Sequence, residues 1–207
     1  MNHYVAIAGN IGVGKTTITQ KISEELGWKA WYEPVIDNPY LDDFYADMKR
    51  WSFHLQVYFL SKRFEAQKEI SASRISCIQD RTIYEDVEIF ARTLHRQGFM
   101  GPRDFENYSE LFRNMVSYLR PPDMIVYLRA DVDELIGRIN KRGRASEKGI
   151  ARDYLAELNR AYEGWAERAQ KICPVRTIET TNGDYENAEE VADKAIREIR
   201  SQFGLML

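Results

Sequence analysis

Gly9-Asn10-Ile11-Gly12-Val13-Gly14-Lys15-Thr16-Thr17 is the stretch that decides the fold. It runs glycine, four residues, then Gly14-Lys15-Thr16, and its flanks supply the context that this spacing requires. Tyr4 to Ala8 upstream is a short apolar run read as a strand. Lys15 to Leu26 downstream carries Ile18, Ile22 and Leu26 at helical spacing and stops at Gly27. Strand, glycine loop and helix together predict a phosphate-binding P-loop. Its glycines leave backbone N–H groups free to converge on phosphate oxygens, and the helix N-terminus adds a positive field. Lys15 then reaches the β- and γ-phosphates of a triphosphate, and Thr16 offers its hydroxyl to Mg²⁺. Nucleotide contacts are expected along the whole run, from Gly9, Asn10, Ile11, Gly12, Val13 and Gly14 to Lys15, Thr16 and Thr17.

Outward from the loop, strands and helices alternate. Lys29 to Tyr32 reads as a second strand leading to Glu33-Pro34, and Arg74 to Gln79 as a third leading to Asp80-Arg81-Thr82. Met124 to Leu128 and Pro174 to Ile178 are the fourth and fifth. Helical patterns cover 38–49, 52–71, 83–96, 104–119, 132–141, 152–172 and 185–203. The alternation predicts an α/β protein with a five-stranded parallel sheet flanked by helices on both faces, the P-loop kinase arrangement. The length of 207 residues suits one domain spanning 1–207 with a small arginine-rich lid at about 141–150.

Composition excludes several classes. A net charge of −3 argues against a nucleic-acid footprint, which needs a basic excess. No apolar run approaches the ~18 residues of a membrane span, and the N-terminus lacks a basic region and a signal-length apolar stretch, so a cytoplasmic protein is expected. Cys77 and Cys173, far apart and in apolar surroundings, read as buried free thiols.

The acceptor of the phosphoryl group must be read from polar residues near the strand ends, which converge on one edge of a parallel sheet. Glu33 follows the second strand and Asp80 the third; one can serve as a base for an attacking hydroxyl and the other can hold the metal. Arg81 directly after Asp80 suits a phosphate or 5′-oxygen contact. Gln56 and Arg63 stand seven residues apart on one helix face, with Phe59 and Leu60 between them, a pattern suited to a flat heterocycle. Gly143 and Gly149 bracket Arg144, Glu147 and Lys148, with Arg142 just before and Arg138 one turn earlier. Arginines on such a lid can close over the transferring phosphoryl.

Over nearly its whole length the sequence resembles the deoxynucleoside kinases, especially the bacterial deoxyadenosine/deoxyguanosine kinases. The residues that carry the resemblance are the 9–17 loop, Glu33-Pro34-Val35, Asp37-Asn38-Pro39-Tyr40-Leu41 through Tyr45, Arg50-Trp51-Ser52-Phe53 through Gln56, Asp80-Arg81-Thr82, and Arg142-Gly143-Arg144 through Glu147. The resemblance implies that Glu33 takes the 5′-hydroxyl proton, that Arg81 orients the reacting oxygen, and that Asp80 is the metal-side carboxylate. It further implies that Tyr45 and Glu147 hold the sugar 3′-hydroxyl, that Gln56 pairs with the base edge and that Phe90 stacks on the base. Arg63 and Asp86 match a charged pair of the purine- and cytidine-preferring members. Lys15, Arg142 and Arg144 are expected at the transferring phosphoryl, with Arg138 and Arg142 contacting ATP. Leu55 stands where several relatives carry phenylalanine, which weakens stacking on the second face of the base. The family is also dimeric through a helical interface, so a homodimer is expected.

The expected reaction is transfer of the ATP γ-phosphoryl to the 5′-hydroxyl of a deoxynucleoside, purine favoured and deoxycytidine accepted. One alternative is a nucleoside-monophosphate kinase of the thymidylate type, which would need cations where this chain offers Glu33. A GTP-binding regulatory module is the other, but Asn140-Lys141-Arg142-Gly143 lacks the aspartate of a guanine signature.

Overall fold

The computed structural model describes residues 2–32, 38–144, 147, 149–180 and 188–205. Five parallel strands form one sheet: β1 (Tyr4–Gly9), β2 (Lys29–Trp31), β3 (Cys77–Asp80), β4 (Met124–Arg129) and β5 (Val175–Glu179). Their order across the sheet is β2-β3-β1-β4-β5. β1 lies at the centre with all six residues buried, as expected of a strand covered on both faces.

Side chains that alternate along β1 divide the interior in two. Ala6 and Ala8 face one core, built with α3 (Met48–Ala72), α4 (83–96), α5 (Pro102–Val116) and α7 (Arg152–Ala169). Val5 and Ile7 face the other, built with α1 (Lys15–Leu26), α6 (Val132–Arg142) and α8 (Ala188–Phe203). Helix α2 (Leu41–Ala46) precedes α3 and contributes Phe44 to the first core. Among the described residues no helix is long and apolar enough to cross a membrane. Cys77 and Cys173 are free and buried, as the sequence predicts.

Two elements differ from the sequence reading. The helix break expected near Arg50–Trp51 falls at Asp47, whose carboxylate accepts the Arg50 N–H at 3.1 Å and starts α3 there. Helix α4 is not uniform: it is α-helical over Ile83–Glu85, π-helical over Asp86–Ala91 and α-helical again over Arg92–Arg96. The start expected for the last helix, at Tyr185, lies outside the described residues.

Candidate active site

Register places the chemistry. β1 pairs with β3 so that Ile7 lies opposite Asp80, and the carboxyl end of β3 therefore meets the start of the P-loop. Gly9 has φ +147°, and a Cβ there would come within 2.6 Å of the Leu128 carbonyl oxygen on β4. Gly12, at φ +85°, lies against α6, where a Cβ would meet the Ile139 side chain at 2.8 Å. Both positions need glycine, which lets the loop wrap tightly around its own backbone. Asn10 ties the loop to α7, donating to the Leu155 carbonyl at 3.0 Å and to Asn159 Oδ1 at 2.6 Å. Lys15 Nζ folds back onto the Gly9 and Asn10 carbonyl oxygens, both at 3.0 Å, and holds a positive charge at the loop's centre. Thr16 Oγ1 donates to Asp80 Oδ2 at 2.6 Å.

A cavity of about 270 Å³ opens in front of this loop. Ile11, Gly12, Gly14, Lys15, Thr16 and Thr17 form its floor. On the α3 side its wall is Gln56 and Arg63 together with Leu55 and Phe59, and on the α4 side it is Asp86 and Phe90, one turn apart on the π-helical segment. Arg81, Arg142, Arg144 and Glu147 line it from the turn after β3 and from the end of α6 onward, and Tyr45 from α2. Some of the residues expected at the donor and some of those expected at the acceptor thus line one space.

Within the wall, Arg63 Nη1 donates to Asp86 Oδ1, both side chains are almost wholly buried, and the guanidinium lies 4.6 Å from the Phe59 ring centroid. Gln56 is buried, and its Oε1 has no hydrogen-bond partner among the described residues. Gln56 lines the cavity, and a buried amide oxygen without a partner is a ready acceptor for a donor on a bound molecule, because leaving it unmet is costly. Arg81 adopts φ +65°, the one positive φ outside glycine among the described residues, and its guanidinium covers the Phe90 ring at 4.5 Å. The Phe90 face toward Arg81 is therefore occupied by a cation. Arg142 and Arg144 both donate to the buried Glu147 carboxylate, Arg142 Nε at 3.1 Å and Arg144 Nη1 at 3.5 Å. The expected lid cations and sugar carboxylate thus form one cluster.

Other expected residues stand elsewhere. Asp80, Gly9, Asn10 and Val13 do not line the cavity. Arg138 turns away from it, donating to the Val13 carbonyl at 3.2 Å, Thr180 Oγ1 at 3.1 Å and Glu134 Oε1 at 2.9 Å. It braces the loop against the end of β5. Glu33 and Lys148 lie outside the described residues. The cavity is also lined by Leu41, Phe44 and Tyr154, to which the sequence reading gave no role in the site. Burial pushes the Tyr154 hydroxyl above its usual pKa, with the Arg81 charge drawing it partly back.

A hydroxyl and a carboxylate 2.6 Å apart beside the phosphate loop are hard oxygen donors of the kind Mg²⁺ takes together with substrate phosphates. The donor set fits that ion without a larger protein cage; no cluster of three acidic, histidine or cysteine ligands occurs among the described residues.

Known proteins match this arrangement. The family model for deoxynucleoside kinase matches residues 5–203. The chain is similar to the deoxyadenosine/deoxycytidine kinase of Bacillus subtilis, 40% identical over 202 residues that cover 97% of this chain and 93% of that protein. It is 36% identical to the deoxyadenosine kinase of Dictyostelium discoideum, over 96% of this chain and 80% of that one. Among solved structures, deoxyadenosine kinase from M. mycoides with the products dCMP and a flexible dCDP bound superposes with a TM-score of 0.85 at 31% identity, covering 96% of this chain and 99% of that one. With its phosphate loop, its parallel sheet and a match that spans almost the entire sequence, the chain belongs to the deoxynucleoside kinase family.

Proposed function

We propose that this kinase transfers the γ-phosphoryl group of ATP to the 5′-hydroxyl of a deoxynucleoside, with deoxyadenosine or deoxyguanosine favoured and deoxycytidine accepted. The observation that carries the proposal is the shared cavity, lined both by Lys15 and Arg81 and by Gln56 and the Arg63–Asp86 pair. The unmet Gln56 Oε1 suits an exocyclic amino group or a ring N–H. The charged pair leaves little room for a thymine methyl. The name of the Bacillus subtilis relative and the dCMP in the M. mycoides structure support deoxycytidine as a further acceptor.

In this reading Lys15 neutralises β- and γ-phosphate charge while the loop N–H groups hold the chain of phosphates. Glu33 removes the 5′-hydroxyl proton, and Arg81 bridges attacking oxygen and phosphoryl. Tyr45 and Glu147 hold the 3′-hydroxyl, and Phe90 flanks the base. Mg²⁺ on Thr16 and Asp80 would shield the charge between β- and γ-phosphates. Residues 141–150 act as a lid on a single domain of 1–207, delivering Arg142 and Arg144 to the phosphoryl group once Glu147 turns to the sugar. Arg138 supports ATP by holding the loop through the Val13 carbonyl. We place the enzyme in the cytoplasm, where Cys77 and Cys173 stay reduced, and as a homodimer, for which light scattering should give twice the 24.2 kDa chain mass.

The test is initial-rate phosphorylation of the four deoxynucleosides with ATP and Mg²⁺. Purine deoxynucleosides should give the highest kcat/KM, and a preference for thymidine would contradict the role given to Arg63 and Asp86.

A further inference from the structure

Glu85 is fully buried, does not line the cavity, and is used by no step above. A carboxylate removed from water this completely persists only where donors surround it. Four do, and they come from three parts of the fold. Oε1 accepts the Thr82 N–H at 2.8 Å and the Thr82 hydroxyl at 3.3 Å. Oε2 accepts the Tyr162 hydroxyl of α7 at 2.7 Å and faces the N–H of Gly9, the first residue of the P-loop, at 3.5 Å. Capping α4 would require only the Thr82 contacts.

The remaining contacts have a common object, the position of Arg81 relative to the phosphate loop. Arg81 sits in a left-handed conformation that a side chain rarely holds without support. On its N-terminal side its own N–H is fixed to the Ile7 carbonyl at 3.0 Å; on its C-terminal side the next N–H, that of Thr82, is fixed to Glu85. The Arg81 Nη2 in turn donates to the Gly9 carbonyl at 3.3 Å, so Gly9 and Arg81 are joined directly and again through Glu85.

We infer that Glu85 is a positioning residue for phosphoryl transfer: its buried carboxylate locks the Arg81 turn to the first residue of the P-loop, with Tyr162 bracing it from α7. It rests on the role proposed above for Arg81. The distance between the loop that holds the donor and the guanidinium that meets the acceptor oxygen is what the strut fixes, and a misplacement of about 1 Å in such geometry costs on the order of 100-fold in rate.

The test is a kinetic cycle on the whole protein. Glu85→Gln keeps an acceptor for Thr82 but turns the other oxygen into a donor aimed at two donors. Its kcat, normalised to sites counted by nucleotide-binding stoichiometry, should fall roughly 10- to 100-fold while the deoxynucleoside KM stays within about threefold. Tyr162→Phe, which keeps the ring, should lower kcat in the same way by about three- to tenfold. In an Arg81→Ala background, Glu85→Gln should change kcat by less than about twofold, since the residue it positions is gone. A Glu85 that serves stability alone would lower the melting temperature, leave kcat per folded site unchanged and show no dependence on Arg81; that result overturns the inference. Should Glu85→Gln fail to fold, Tyr162→Phe decides by the same readouts. An Arg81→Ala enzyme with undiminished kcat would instead refute the role of Arg81 itself, a separate outcome.

Discussion

Asp86→Val is the perturbation whose consequence follows most directly from geometry. It removes the negative half of an ion pair whose two side chains are 3% and 1% exposed, and leaves the Arg63 guanidinium in a site that water barely reaches. Breaking a buried pair by deleting one partner costs about 3–5 kcal/mol. For a chain of this length each kcal/mol lowers the melting temperature by roughly 2–4 °C, so a fall of roughly 6–20 °C is expected. Removing both charges has a different sign. Arg63→Leu combined with Asp86→Val abolishes the desolvation cost of two ions and fills the space with apolar groups, which is often neutral or stabilising. The double variant should therefore melt within about 4 °C of the parent and above the Asp86→Val variant. Its acceptor choice should move as well. With the pair gone there is room for a methyl group, and the ratio of kcat/KM for thymidine over deoxyadenosine should rise roughly 10- to 100-fold. The assays are thermal unfolding by circular dichroism and initial rates with each nucleoside. A double variant that loses the sum of the two single losses, or an unchanged specificity ratio, would refute the reasoning.

Three further outcomes are expected. Glu33→Gln should cut kcat by roughly 10²–10⁴-fold while the deoxynucleoside KM changes by less than about threefold, measured by coupled ADP release; an intact kcat would remove Glu33 from the role of base. Gln56→Leu should raise the deoxynucleoside KM roughly 10- to 100-fold and leave the ATP KM alone, because only the acceptor loses its partner. Burial pushes the Cys77 and Cys173 thiols from about 9 up to about 11, so the folded chain keeps protons that the unfolded chain releases first. Their contribution to stability is complete below pH 9 and declines as pH rises towards 11, and denaturant melts across that window should show the fall, with little native alkylation near neutral pH.

The phosphate loop could be read from the sequence because each of its requirements is local: a strand, residues free to take positive φ, a lysine and a hydroxyl at fixed spacing. The five strands were legible for a similar reason, since apolar runs closed by Gly, Pro or Asp leave few alternatives. Gln56, Arg63, Asp86 and Phe90 are another case. Their spacing placed two of them on one helix face, but that α3 and α4 face each other across one cavity depends on packing between segments far apart in sequence. The π-helical turn of α4 left no signature in residue periodicity. Tyr154 and Phe44 carry no mark of the cavity in the sequence, because nothing in an apolar pattern tells a residue against the core from one against a cavity. For Arg138, its place one turn before Arg142 gave no sign that it donates to the Val13 carbonyl, Thr180 and Glu134. Thr82-x-x-Glu85 carries a helix-capping signal that sequence could have supplied. That its carboxylate also receives Tyr162, 77 residues away, could come only from the tertiary structure.

Acceptor identity is the central claim, and one head-to-head assay addresses it: ATP, Mg²⁺ and either deoxyadenosine or deoxyadenosine monophosphate, with the products resolved by mass and by ³¹P NMR. The deoxynucleoside should be converted to its 5′-monophosphate and the monophosphate left untouched. Conversion of the monophosphate to diphosphate, with the nucleoside unreacted, would contradict it.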